Sequence, residues 1–263
     1  MKWTVAKIKA LKGKRKIAVL TAYDALSGAL ADRADIPVVL VGDSLGMTVL
    51  GYETTLPVSM AEMLHHTVAV TRGVKNALVV ADMPFMSYQP SVEMALENAG
   101  RFLKEAHADA VKIEGGAIRS EMIEALVANG IPVVGHIGLT PQSIKTMDGY
   151  KVQGQTSEQA RELMDDAMTV EQAGAFLLVL ECVPAELART ISSALTIPII
   201  GIGAGAGCDG QVLVFTDLLG MGEGPVPKFV KKYADLHSII TDALSTYKAE
   251  VEAGTFPTDE QAY

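Results

Sequence analysis

Residues 38–42, VVLVG, with Asp43 directly after them, and residues 77–82, ALVVAD, ending on Asp82, are two short apolar runs. Between them residues 59–72, SMAEMLHHTVAVTR, carry a helical spacing of apolar side chains. Runs this short, apolar at consecutive rather than alternate positions, are how strands buried on both faces read, and a helix between two of them is the crossover unit of a parallel sheet. Working outward from this unit, the same kind of run recurs at 17–21, 110–114, 132–136, 176–181, 197–202 and, more weakly, 211–215, which makes eight. Helical patterns at 91–107, 157–173 and 184–195 lie between them, several opening on the Ser or Pro suited to a helix N-terminus. Eight such units predict an α/β fold, a (β/α)8 TIM barrel. A doubly wound open sheet alternates the same elements, but seldom needs eight strands and leaves edges to protect.

No Gly/Ser linker, low-complexity tract or abrupt change of composition divides the chain, so residues 1–263 read as a single barrel domain with an N-terminal helical segment and a C-terminal helix. Residues 229–251 have the pattern of an amphipathic helix, which could close the barrel or pack on a neighbouring subunit. The chain is 49% hydrophobic and 20% charged, too apolar for disorder and apolar enough to suggest subunit interfaces. Acidic residues outnumber basic ones by 31 to 22, a net charge of −9 that repels polyphosphates and excludes nucleic acid as a natural partner. Only Cys182 and Cys208 are available for a disulfide, which fits a reducing cytoplasm. Basic residues 9–16 before an apolar 17–22 resemble an export signal, but Asp24 interrupts it, and an N-terminal segment leading into a first strand is the better reading. No apolar run approaches the roughly 20 residues that span a bilayer, so a soluble protein without a membrane partner is expected.

The chemistry collects where the strands end. Asp24 follows the first, and Asp43, Asp82, Glu114, His136 and Glu181 lie at or just after later ones. In a barrel of parallel strands all C-terminal ends open on one face, where barrel active sites are built. One such residue is explained by helix capping; several on successive strands are not, because like charges packed without a counter-ion repel. Asp43, Asp82 and Glu114 offer hard oxygen ligands from three strands, and no His/Cys spacing suggests zinc or iron, so Mg2+ is the natural candidate; the alternative is a salt-bridge network around Lys112. Lys112 and Glu114, two apart on one strand, leave the same face and look into the barrel. Lys112 could draw in a substrate carboxylate or, with a depressed pKa, serve as a Schiff-base nucleophile.

Glu181 ends an apolar run, a setting that favours a proton acceptor, and is the candidate general base. His136 is a base, ligand, hydrogen-bond partner or simply a core histidine. Cys182 reads as a small buried hydrophobe. The glycine run Gly201, Gly203, Gly205, Gly207 could approach an anion but better suits tight turns beside the mouth. Residues 53–56 and 147–155 are candidates for covering that mouth.

Taken in order, the segments 21–24 (TAYD), 41–47 (VGDSLGM), 81–85 (ADMPF), 111–116 (VKIEGG), 135–142 (GHIGLTPQ), 178–184 (LVLECVP) and 201–205 (GIGAG) resemble the ketopantoate hydroxymethyltransferase family over nearly the whole chain. The resemblance implies a (β/α)8 barrel, one Mg2+ per subunit, and transfer of a hydroxymethyl group from 5,10-methylenetetrahydrofolate to 3-methyl-2-oxobutanoate, giving ketopantoate for pantothenate and coenzyme A synthesis. It implies Asp43, Asp82 and Glu114 at the metal, Asp43, Ser44, Asp82 and Lys112 at the keto acid, and Glu181 as proton acceptor, Ser44 entering by the resemblance alone. It also implies a large homo-oligomer, often a decamer. Two enzyme alternatives share the barrel: a Mg-dependent α-keto acid carbon-carbon lyase and a Schiff-base aldolase using Lys112. A non-catalytic ligand-binding protein is the alternative from another class.

Overall fold

The computed structural model describes residues 2–147, 149–224 and 226–263. They form two compact units, Met1–Val214 and Phe215–Tyr263. In the first, eight parallel strands close into a barrel: β1 Ile17–Thr21, β2 Val38–Val41, β3 Leu78–Asp82, β4 Ala110–Glu114, β5 Val133–Gly138, β6 Leu177–Glu181, β7 Ile199–Ile202 and β8 Gly210–Leu213. Each strand pairs with the next, and β8 returns to β1 with Ile17 opposite Gly210. The consecutive apolar character of these runs follows from burial on both faces: every residue of β2, β3, β4 and β5 is buried.

The helices on the outside start where the sequence supplies caps. They are α1 Val5–Lys9, α2 Ala25–Arg33, α3 Leu45–Thr48, α4 Met60–Gly73, α5 Val92–Lys104, α6 Ser120–Ala128, α7 Ser157–Gln172 and α8 Ala185–Ala194. Ser59 with Glu62 opens α4 and Thr156 with Gln159 opens α7 as reciprocal capping boxes, while Ser91 caps α5. Asp24 does the same for α2, its carboxylate accepting from the Ser27 amide, and it is exposed. Its place after β1 is therefore explained by capping; it does not join the other strand-end groups.

Within the barrel Val19, Val38, Leu40, Val80, Val134, Leu177, Val179, Ile200 and Val212 interlock around a residual space of about 10 Å³, room for one water at most. The interior is a packed core, not a pore. Its floor is closed by the N-terminal segment: Ile8 of α1 is wholly buried in the same cluster, with Trp3, Val5 and Leu11 packed against it.

Most boundaries move by a residue or a few, and those near the C-terminal end of the barrel matter most. β8 stops at Leu213, and Phe215 already begins a short helix, α9 Phe215–Leu218. β7 reaches β8 through residues 203–209 without an intervening helix, turning at Gly203 and Gly205, whose φ of 64° and 76° glycine adopts freely. Of the glycine run, Gly201 lies within β7 and only the later glycines fall in the turn. In the second unit, α10 runs Leu236–Ala253 rather than 229–251, and carries an exposed apolar row of Ile240, Leu244, Tyr247 and Val251.

Candidate active site

Strand alternation aims the ionisable groups inward. Asp82 follows Val80, Lys112 and Glu114 follow Ala110, His136 follows Val134, and Glu181 follows Leu177 and Val179, all on the face that builds the barrel core. Strand register then makes them neighbours: Asp82 lies opposite Lys112, and Glu114 opposite His136. Asp43, one residue beyond Gly42 at the end of β2, completes the group. Asp43, Asp82, Lys112, Glu114 and His136 are all buried, whereas the Glu181 side chain keeps 15% of its surface exposed at the rim.

The contacts form a chain across the mouth. Lys112 Nζ donates to Asp82 Oδ1 at 2.5 Å and lies 3.8 Å from Glu114 Oε1. The Asp43 amide donates to Asp82 Oδ2 at 3.3 Å. The His136 ring stands between two carboxylates, Nδ1 3.3 Å from Glu114 Oε1 and Nε2 3.3 Å from Glu181 Oε2. These approaches suit ion pairing but are misaligned for hydrogen bonds, so Glu114 Oε1 and both ring nitrogens have no hydrogen-bond partner among the described residues.

The electrostatics follow from three carboxylates meeting a lysine and a histidine in a dry site. Burial, then the Asp82 and Glu114 charges, push the Asp43 carboxyl well above the usual range. Burial also raises Asp82, against the pull of Lys112. Burial works against the charge on Glu114 too, but His136, Lys112 and the Gln142 amide outweigh it and hold that carboxyl low. On Lys112, burial is overcome by Asp82, Glu114 and Asp43, which keep it protonated well past its ordinary range. His136 is disfavoured as a cation by burial and Lys112, yet Glu114 and Glu181 raise it to about 9. A lysine held charged in this way is a poor Schiff-base nucleophile.

Three buried carboxylates gather around Lys112 and His136, and Glu114 Oε1, though close to both cations, accepts no hydrogen bond among the described residues; clustered hard oxygens with one left unbonded suit a divalent cation. Among the described residues no group of three or more His, Cys, Asp or Glu side chains is already arranged as a finished metal centre, and Lys112 Nζ bridges Asp82 and Glu114.

Ser44 is half-buried beside Asp43, its hydroxyl 2.9 Å from that of Tyr23, which in turn accepts from Thr21 at 2.9 Å. Cys182 has φ 48°, and burial and Glu181 push its thiol up to about 11, so it is no nucleophile near neutrality. The second proposed cover runs beside the mouth: the Gln153 amide donates to the Cys182 carbonyl at 2.8 Å, and Tyr150 Oη reaches Met47 Sδ at 3.7 Å. Asp148 of that segment lies outside the described residues. Thr55, in the first proposed cover, is buried.

Sequence reasoning missed Gln142 and Tyr88. Gln142 was visible only as the last letter of GHIGLTPQ, and Tyr88 sits in a loop with no periodicity to mark it. The structure buries both against the carboxylates.

The family model described as ketopantoate hydroxymethyltransferase matches residues 2–259. The 3-methyl-2-oxobutanoate hydroxymethyltransferase of Syntrophus aciditrophicus (strain SB) is 57% identical over 263 residues, covering 100% of this chain and 97% of that protein. The protein of the same name from Clostridium novyi (strain NT) is 57% identical over 255 residues, covering 97% and 93%. Among solved structures, 2,3-dimethylmalate lyase superposes with a TM-score of 0.63 at 16% identity, covering 100% of this chain and 89% of that one, a likeness of fold alone.

Proposed function

The chain belongs to the ketopantoate hydroxymethyltransferase family, and from that premise we propose how its barrel mouth transfers a hydroxymethyl group to 3-methyl-2-oxobutanoate. The observation that carries the reading is the meeting of Asp43, Asp82, Lys112 and Glu114 beneath a rim carboxylate, Glu181, that alone keeps access to solvent. Asp43, Asp82 and Glu114 would hold one Mg2+ per subunit, which when bound supplies Lewis-acid stabilisation of the charge developing on the keto oxygen. Lys112, kept cationic by its neighbours, attracts the substrate carboxylate, and Ser44, oriented by Tyr23, offers it a hydroxyl.

Glu181 removes the proton at C3 of the keto acid. The electrons of that C–H bond pass into the enolate, whose C3 then attacks formaldehyde, formed when water breaks the two C–N bonds of the 5,10-methylene group and tetrahydrofolate leaves; the C=O π electrons become an alkoxide, which takes the proton held by Glu181. His136, flanked by Glu114 and Glu181, sets the position of the base. A millionfold acceleration needs about 8 kcal/mol, and general-base catalysis supplies roughly 10²- to 10⁴-fold of it, so electrostatic stabilisation of the enolate oxygen must provide the remainder. The lyase reading loses its support because the one-carbon transferase name is carried by relatives at 57% identity, while the lyase likeness is at 16%. The Schiff-base reading requires a neutral Lys112, which its neighbours oppose.

A homo-oligomer, a decamer as the family resemblance implies, accords with exposed Leu26 and Leu30 on one face of α2. Two unpaired cysteines accord with a cytoplasmic location, and among the described residues no helix is long and apolar enough to cross a membrane. The reading is tested by following product from 3-methyl-2-oxobutanoate with and without 5,10-methylenetetrahydrofolate, in Mg2+ and in chelator. Ketopantoate should form only with the folate and the cation together; formation with neither would reject it.

A further inference from the structure

We propose that Gln142 is a positioning residue that fixes the carboxylates of the mouth, chiefly Asp43, in the geometry that binds the cation; the inference rests on the Mg2+ reading above. Gln142 follows β5, in the short turn Pro141–Ser143, and is buried. Its side-chain amide bridges two strand ends, Nε2 donating to Asp43 Oδ2 and to the Met83 carbonyl, each at 2.9 Å. Its backbone N–H donates to Glu114 Oε2 at 3.0 Å. One residue thus ties the ends of β2, β3 and β4 together.

The orientation of this amide is determined, not arbitrary. Oε1 accepts from Tyr88 Oη at 2.8 Å and from Gln89 Nε2 at 2.9 Å. Flipping the amide would set its oxygen against two acceptors, Asp43 Oδ2 and the Met83 carbonyl, and lose both bonds. Tyr88 is itself fixed, because its wholly buried hydroxyl accepts from the Glu114 amide at 3.0 Å. Each of the two carboxylates therefore has one oxygen committed to Gln142: Oδ2 of Asp43 and Oε2 of Glu114. Among the described residues no hydrogen bond is made to Asp43 Oδ1 or to Glu114 Oε1, the latter standing 3.3 Å from His136 Nδ1. Outer partners of this kind commonly set metal affinity by 10- to 100-fold.

The test is a direct Mn2+ titration of the substrate-free protein by electron paramagnetic resonance, on wild type, Gln142→Met and Tyr88→Phe. It is paired with the Mg2+ dependence of C3 proton exchange. Gln142→Met keeps the length of the side chain and removes both N–H bonds. It should weaken Mn2+ about tenfold or more and raise half-saturating Mg2+ in parallel, while exchange at saturating Mg2+ returns near the wild-type rate. Tyr88→Phe removes one of the two donors to the amide oxygen and should shift both constants in the same direction by less. A merely structural role would lower the folded fraction and the maximal rate without moving either constant.

Unchanged Mn2+ affinity in a folded Gln142→Met overturns the inference, and should that variant fail to fold, unchanged affinity in Tyr88→Phe overturns it equally. Wild type that binds no Mn2+ defeats the cation reading and this inference together; wild type that binds it, with both variants unaltered, defeats this inference alone.

Discussion

The two ends of the barrel are made from the same strands and solve opposite problems. At the floor, Ile8 plugs a cluster of Ile17, Leu78, Ala110, Phe176 and Leu177, every one apolar and buried. At the mouth, two or four residues further along β3, β4 and β6, the buried positions are Asp82, Lys112 and Glu114, with Glu181 at the rim. Apolar burial stabilises at about 25 cal/mol per Å², whereas burial of a charge costs free energy unless a partner offsets it. The contrast teaches that stability is concentrated below and function above, so that substitutions at the two ends should separate the two properties.

The largest effect should come from the rim. Glu181→Gln should slow C3 exchange of 3-methyl-2-oxobutanoate roughly 10²- to 10⁴-fold while calorimetric binding of the keto acid persists; exchange at the wild-type rate would remove Glu181 from its role. At the floor, Ile8→Ala should cost about 2–5 kcal/mol in denaturant unfolding and leave the turnover of the folded fraction unchanged. A fall in turnover matched by no loss of stability would dissolve the contrast.

Asp32 is a floor-side group of the other kind, a buried carboxylate with its partners in place. It accepts from the Ala77, Asn76 and Lys75 amides at 2.7, 2.8 and 3.2 Å. Burial would raise its carboxyl, but those three donors outweigh burial and lower it. A depressed folded value means stability that is present above the unfolded value, about 3.9, and lost as pH falls through the folded one. Asp32→Asn should therefore cost about 1.5–3 kcal/mol at pH 7, with the difference from wild type shrinking below about pH 4.

Asp43 has the opposite sign. Its carboxyl is raised by burial, Asp82 and Glu114, so its ionised form opposes folding. Asp43→Asn in the metal-free protein should gain about 1 kcal/mol at pH 7, a gain that vanishes below about pH 4, where both states are protonated. A loss of stability at pH 7 would show that Gln142 and Lys112 compensate Asp43 fully. Smallest of all, borohydride with the keto acid should leave Lys112 unmodified by mass spectrometry, and a trapped adduct would restore the Schiff-base mechanism.

Much of this was legible in the chain. Consecutive apolar runs such as VVLVGD located β2 because a strand covered on both faces shows no alternation, and the two-residue spacing of Lys112 and Glu114 already placed both inside. β8 was harder to bound, because its burial is mixed and glycines precede it. Asp24 looked like its neighbours in sequence and proved to be a cap, a distinction made by where the chain turns after β1. The leucines before Glu181 do not surround its carboxylate: alternation sends Leu178 and Leu180 to the outer face, and His136 from the adjacent strand stands 3.3 Å from its Oε2. Gln142 shows in the sequence only as the last letter of GHIGLTPQ, since its importance comes from partners 28, 59 and 99 residues distant.

The most direct test is deuterium exchange at C3 of 3-methyl-2-oxobutanoate, followed by proton NMR on wild type without folate. Exchange should proceed with Mg2+, stop when a chelator is added, and resume when the ion is restored. Exchange that continues unchanged in chelator would contradict the claim that the buried carboxylates of the mouth serve a cation-assisted enolisation.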